Sequence, residues 1–357
     1  MFPYLLIIFF TGLMALTCPV RQCTKYSSIN NFFWKLTFLW LVLFIGLRHE
    51  VGADWDGYLN IFENTKDESF LLVLLFKDPA YTLINWLGSF FRDGIYIVNL
   101  VCGILFTFGL MSFCRNQPRP WLTLTVALPY LVMVVAMGYT RQAVAIGLVM
   151  LAISRLQSRG LGHYVFLIIL AALFHRSAII ALFFALFVRS NRSRVLVFVG
   201  IGLMLILLIN FLLINQLDYF ESNYLDVNLD SAGASLRLIM GFIPIVLFLL
   251  LQKKYSLDSK TKNYWLSMAW TAFIFIPIFM FSPSSTAVDR VFLYWYPLQL
   301  YIFARLPDAF GIVGQPNLFW VVLIILYSIS VMMVWLLFAN FSSYWLPYRF
   351  YPLEILM

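Results

Sequence analysis

Charge is scarce in this chain of 357 residues: Asp, Glu, Lys and Arg make up 11% of it, against 62% hydrophobic residues. That balance excludes an ordinary soluble domain, in which about a quarter of the residues are charged. Histidine occurs 3 times and cysteine 4 times. There is no Cys/His cluster, no HExxH and no glycine-rich phosphate loop, so neither a metal nor another cofactor is expected. Asp54-Trp55-Asp56 is formally an Asp-x-Asp pattern, but three residues recur too easily by chance to carry a metal.

Long apolar runs take the place of charge. They lie at 2–17, 32–47, 94–113, 121–137, 142–154, 164–188, 195–217, 237–251, 264–281, 290–304 and 317–341. A helix needs about 20 residues to cross a bilayer, about 17 at the short end, so the shortest runs must draw on their flanks. The first run has no basic residue ahead of it, and Ala15-Leu16-Thr17-Cys18 lacks the small residue a lipoprotein cleavage site wants before its cysteine. It reads as a span, not a signal peptide. The predicted fold is an all-α, polytopic membrane bundle of about 11–12 transmembrane helices, one domain over residues 1–357.

Orientation follows from the basic residues, because short cytoplasmic loops retain Lys and Arg. Arg21, Lys25 and Lys35 place the first loop inside and the amino terminus outside. Alternation then puts Arg115 and Arg119, Arg155 and Arg159, Arg189, Arg192 and Arg194, Lys253, Lys254, Lys260 and Lys262, and Arg305 inside. Of the 16 acidic residues only Asp258 and Asp308 join them. The net charge of +8 is therefore a topology signal, not a sign of nucleic-acid binding. The alternation closes only if 164–188 breaks at His175-Arg176-Ser177 into a hairpin of two short helices. A straight helix would bury Arg176 near mid-membrane at a cost of several kcal/mol. Cys18, Cys23 and Cys114 fall on the cytoplasmic side and Cys102 within a span, so no disulfide is expected.

Five arginines remain at the outer ends of separate spans: Arg48, Arg141, Arg176, Arg237 and Arg290. Guanidinium groups bind phosphate oxygens through forked, charge-assisted hydrogen bonds. A ligand with an apolar tail and a diphosphate head at the outer interface suits such a ring. The plainer reading is that each arginine snorkels to lipid headgroups or pairs with a carboxylate, as Arg48 with Asp54 or Arg290 with Asp289. The longest outer loop, 48–93, adds Asp54, Trp55, Asp56, Tyr58 and Glu63, then the apolar pieces Phe70 to Phe76 and Tyr81 to Phe91. Those pieces are too short to span and are expected to be re-entrant or interfacial. With the acidic loop 218–236, loop 48–93 is expected to form an extracytoplasmic cavity. Aromatic faces interleaved with carboxylates grip sugar rings, though an interfacial aromatic belt explains many of the same residues.

The stretch Gly46-Leu47-Arg48-His49-Glu50-Val51-Gly52-Ala53-Asp54-Trp55-Asp56-Gly57-Tyr58 resembles the R-x-x-VG-x-D-x-x-x-Y signature of the EpsG family, Wzy-like membrane proteins of bacterial polysaccharide assembly. Asp78-Pro79-Ala80-Tyr81-Thr82-Leu83-Ile84-Asn85, Thr140-Arg141-Gln142-Ala143-Val144-Ala145, Phe174-His175-Arg176-Ser177-Ala178 and Asp289-Arg290-Val291 are similar to that family's later blocks, in the same order. Ala53 and Ala80 depart from it, standing where a small hydroxyl residue and a glycine are frequent.

The resemblance implies a polymerase of O-antigen, capsule or exopolysaccharide repeat units in the bacterial inner membrane, its active site facing the periplasm. A growing oligosaccharide would leave a polyprenyl (undecaprenyl) diphosphate and join a sugar hydroxyl of another lipid-linked unit, without a metal. Partners would be polyprenyl diphosphate-linked oligosaccharides, the lipid bilayer and a chain-length regulator. Arg141, Arg176 and Arg290 are expected to hold the diphosphate, with Arg48 and Arg237 beside them. Asp54, His175 or Asp289 would accept the hydroxyl proton, and Tyr58, Tyr81 and Gln142 would touch substrate. Two alternatives stay open: a ligase of the same chemistry, and an exporter or flippase, which expects charges through mid-membrane that these spans lack. A membrane acyltransferase fits less well, since it wants a buried histidine on a cytoplasmic donor's route.

Overall fold

A computed structural model describes residues 1–20, 28–187, 233–255, 259–282 and 284–356. The expected span 195–217, most of the acidic loop 218–236, and Arg21, Cys23, Lys25, Arg189, Arg192, Arg194 and Asp258 lie outside the described residues.

The architecture is all-helical. Among the described residues five helices are long and apolar enough to cross a membrane: Ser28–Gly46, Gly94–Arg115, Thr140–Phe174, Thr261–Phe281 and Leu318–Phe338. Shorter apolar helices, Phe2–Thr17, Pro120–Ala136, Arg176–Ala185 and Ala234–Leu250, accompany them. This is the polytopic membrane protein the composition requires, because only helices satisfy every backbone polar group within such spans.

The chain divides into two compact units, Met1–Arg176 with Phe303–Met357, and Ser177–Ile302. The first holds α1 (Phe2–Thr17), α2 (Ser28–Gly46), α3 (Trp55–Lys66), α4 (Phe70–Val73), α5 (Pro79–Gly88), α6 (Gly94–Arg115), α7 (Pro120–Ala127) and α8 (Thr140–Phe174). Between α7 and α8 the residues Leu128–Ala136 form a π-helical turn. Its cause is Pro129, which has no N–H to give to the preceding turn. Two close helix crossings fix α6. A side chain at Gly46 of α2 would come within 2.7 Å of the Leu100 backbone, and one at Gly109 would strike the Gly147 carbonyl of α8. Small residues at such crossings let helix backbones touch, which is how apolar helices associate in lipid.

Helix α8 is two apolar runs in one, as the sequence divides them. Gly160 has φ +77°, outside helical space, and interrupts it between 142–154 and 164–174. The break expected at His175 is also present: its φ of −155° and ψ of 111° end the helix. The next element, Arg176–Phe187, is a 3₁₀ helix, where the sequence suggested an ordinary short α-helix.

The alternation of loops is visible as contacts within the first unit. At one end, Arg119 donates to the Pro19 carbonyl at 2.9 Å, to the Asp308 carboxylate at 2.5 Å and to the Gln315 carbonyl at 2.9 Å. Arg305 reaches Gln117 at 2.7 Å and Arg115 reaches Asn31 at 2.5 Å. These are the loops the charge rule groups as cytoplasmic. At the other end, the tail after the helix Leu318–Phe338 returns to residues 47–52: the His49 amide donates to the Arg349 carbonyl at 3.0 Å, Gly52 to Tyr344 at 2.9 Å, and Tyr351 to Leu47 at 2.9 Å. The loop helices α3 and α5 pack together at that end, and the stretch around α4 exposes Leu71 and Leu75, as a segment resting against lipid does.

The second unit holds α9 (Ala234–Leu250), α10 (Ser259–Ala272), α11 (Phe275–Phe281) and α12 (Ser285–Phe292), after which α13 (Tyr296–Phe310) carries the chain back to α14 (Leu318–Phe338) in the first. The run 264–281 lies in the candidate span Thr261–Phe281, which turns between Ala272 and Phe275. Pro277 cannot donate to Phe273 and its ring opposes that carbonyl. Phe242, Phe273, Phe275, Phe292 and Trp295 form the aromatic core here.

Candidate functional site

The site in the first unit is built around Arg141, the second residue of α8. Its Nη1 donates to Oδ2 of Asp78 at 2.6 Å, and its Cζ lies 5.9 Å from the ring centroids of both Tyr58 and Tyr81. The Tyr58 side chain also accepts a hydrogen bond from it. Three elements therefore converge: α3 brings Tyr58, the start of α5 brings Asp78 and Tyr81, and α8 brings the cation. The two rings pack edge to face at 5.7 Å, so each helix fixes the other's tyrosine. Cation–π contact on two sides restrains the guanidinium, which keeps 31% of its side-chain surface exposed against 6% for Asp78.

Arg176 closes the group. Its backbone N–H bonds the Asp78 carboxylate and its charge acts on the same carboxyl. Burial pushes the Asp78 carboxyl above the ordinary range, and Arg141 and Arg176 pull the other way. Asp78 stands where Asp-Pro opens a helix, the position of an N-cap, yet it makes no capping bond and spends its carboxylate on arginine. In the sequence Asp78 stands only within a motif block, with no role of its own.

Arg48 is placed differently from expectation. It is fully buried, donating to the carbonyls of Ile45 at 2.6 Å and Val51 at 3.2 Å and to the Thr140 hydroxyl at 2.8 Å. Among the described residues no carboxylate pairs with it, so the ion pair with Asp54 considered from sequence is not formed. Asp54 is half-buried at the start of α3. Gly52 has φ +108°, and a side chain there would strike the Met137 carbonyl, which explains the glycine of the signature.

Tyr58, Tyr81 and Gln142, expected to touch substrate, are all buried. The rings of the two tyrosines lie against Arg141. His175 is half-buried at the helix break, next to Arg176.

In the second unit, Asp289 of α12 accepts from Arg237 of α9, through Nε at 2.9 Å and Nη2 at 2.8 Å. Sequence proximity suggested Arg290 as its partner, but the α9–α12 packing supplies Arg237. Burial raises the Asp289 carboxyl, and Arg237 followed by Arg290 opposes the rise. Among the described residues no cluster of His, Cys, Asp or Glu has the makings of a metal site. Cys18, Cys102 and Cys114 are free and buried.

These features define a multi-pass, all-helical membrane protein that gathers arginine, carboxylate and tyrosine at one end of its first unit. The sequence profile of the EpsG family matches residues 31–350, and the chain belongs to that family. Membership supports a role of the polysaccharide-polymerase type. No curated protein and no solved structure matches the chain.

Proposed function

We propose that the protein polymerises glycan repeat units carried on polyprenyl diphosphate, at the outer face of the bacterial inner membrane. A growing oligosaccharide leaves its diphosphate and is transferred to a sugar hydroxyl of another lipid-linked unit. The observation that carries this reading is the restrained, part-exposed guanidinium of Arg141 with Arg176 beside it. A diphosphate leaving group needs positive charge where its own charge develops, and a preset arginine supplies it without reorganising. Arg141 and Arg176 are the residues assigned to the diphosphate. Arg48 is assigned to positioning, since its guanidinium is spent inside the fold. Asp54 and His175, in the same unit, are the candidates to take the hydroxyl proton.

The test is the gel ladder of lipid-linked and surface glycan from a deletion strain complemented with wild type, Arg141→Ala or Arg176→Ala. Each variant should accumulate to wild-type abundance while single repeat units build up. Lysine at either position should rescue only in part, because a point charge cannot reproduce the fork. Wild-type chain lengths in both alanine variants would refute the diphosphate assignment. Long chains retained on the carrier would indicate a ligase, and loss of all outward-facing units an exporter.

A further inference from the structure

We propose that Asp78 is a resident counter-ion that holds Arg141 until substrate arrives and then yields it to the diphosphate, an ion exchange that gates the site. The inference rests on the reading that Arg141 binds the diphosphate. The contact itself is the first reason: a charge-assisted N–H to oxygen bond of 2.6 Å is the bond Arg141 would make to a phosphate oxygen. The carboxylate therefore occupies the part of the guanidinium that a ligand must take.

The second reason is that both partners are left incomplete. Oδ1 of Asp78 and Nε of Arg141 are buried and lack a hydrogen-bond partner. Buried polar atoms are nearly always paired. A forked pair through both oxygens and two nitrogens would satisfy these atoms. Here one bond holds the pair and one polar atom on each side is spare.

The third reason is direction. Arg141 is part-exposed while Asp78 is almost closed off, so a ligand meets the cation first and competes for it from the open side. Once displaced, the carboxylate is a buried anion with less compensation. The groups facing it are Arg141 on α8, Arg176 beyond α8, Tyr81 on α5 and, through Arg141 and Tyr81, Tyr58 on α3 and Cys102 on α6. Its burial favours taking up a proton when the guanidinium turns to the ligand. Diphosphate binding should then be coupled to proton uptake at Asp78.

The experiment uses the full chain in lipid nanodiscs with farnesyl diphosphate as probe, titrated calorimetrically at a series of pH values from mildly acidic to mildly basic. Asp78→Asn should bind roughly tenfold tighter or better than wild type, because the competing charged hydrogen bond is gone. It should also lose the part of the pH dependence that wild type shows beyond the probe's own titration. Arg141→Ala should abolish binding with or without Asp78→Asn. A second readout needs no variant: the infrared difference spectrum of wild type on adding probe should lose a carboxylate band and gain a carboxylic acid band. Equal or weaker binding by Asp78→Asn, with Arg141 still required, overturns the exchange and leaves the diphosphate site standing. An unchanged wild-type carboxyl spectrum overturns it equally. Binding that ignores Arg141→Ala refutes the diphosphate reading itself.

Discussion

Arg48 donates from Nη2 to the Thr140 hydroxyl at 2.8 Å, tying the end of α2 to the residue directly before Arg141. The same guanidinium holds the Ile45 and Val51 carbonyls. Hydrogen bonds from a charged donor contribute about 1.5–3 kcal/mol net, and breaking these leaves buried acceptors unpaired. Arg48→Ala is expected to cost roughly 3 kcal/mol or more, read as a lower unfolding temperature in detergent. Arg48→Lys should not restore it, since an ammonium cannot reach three acceptors in diverging directions. An unchanged unfolding temperature with lost polymer would move Arg48 back to the substrate.

The tyrosines around Arg141 should separate ring from hydroxyl. Tyr81 is buried, with its hydroxyl against the Asn85 side chain. Tyr81→Phe keeps the face under the guanidinium and gives up at most that one neutral bond, so stability should change by no more than about 1 kcal/mol with chain lengths unchanged. Tyr81→Leu removes the face and should cost about 0.5–2 kcal/mol in the cation–π contact, with shortened glycan. Shortened glycan in Tyr81→Phe would show that the hydroxyl meets substrate.

The apolar runs, the stop at His175 and the division of α8 were legible because hydropathy acts locally and follows from a few neighbouring residues. The convergence of Arg141 with Tyr58 and Tyr81 was legible only as a set of motifs at one membrane level. What sequence did not disclose is which acid meets which cation. Arg48 looked like a ligand because it ends a span, yet the tail bridges it at Phe350 and seals it, a contact across most of the chain. Asp78 stood only within a motif block, and Arg237 rather than its neighbour took Asp289, since partner choice is set by helix packing and not by spacing.

That tail gives a pH prediction. Trp345 is buried and donates to the Met133 carbonyl at 2.7 Å, Tyr351 stacks on Tyr96 at 3.5 Å, and Arg349 bonds Glu50 and Glu354. Trp345→Ala should cost about 3–5 kcal/mol, the usual loss for a buried large aromatic. The hydrogen bond from Arg349 holds the Glu354 carboxyl below its ordinary value of 4.5. A depressed carboxyl contributes stability that is complete above the unfolded value and lost as pH falls through the folded one. Protection factors of the His49 and Tyr351 amides, taken relative to intrinsic exchange at each pH, should therefore fall below about pH 4.5, and Glu354→Gln should remove that response. Protection factors that do not change with pH in wild type would show that the aromatic contacts hold the tail without the ion pair.

Sidedness decides whether the Arg141 site can meet outward-facing substrate. Within the first unit the polar contacts fall at two ends, one holding Arg48, Arg141 and Arg349, the other Arg119, Arg305 and Asp308. The basic loops gather at the second, so the first should face out. Glu50 and Gln315 are exposed, one at each end. With the native cysteines replaced, a membrane-impermeant maleimide applied to intact cells should label Glu50→Cys and spare Gln315→Cys until the membrane is opened. The reverse pattern would place Arg141 in the cytoplasm, where lipid-linked units are assembled and not joined, and polymerisation at the outer face would have to be abandoned whatever the arginine variants do.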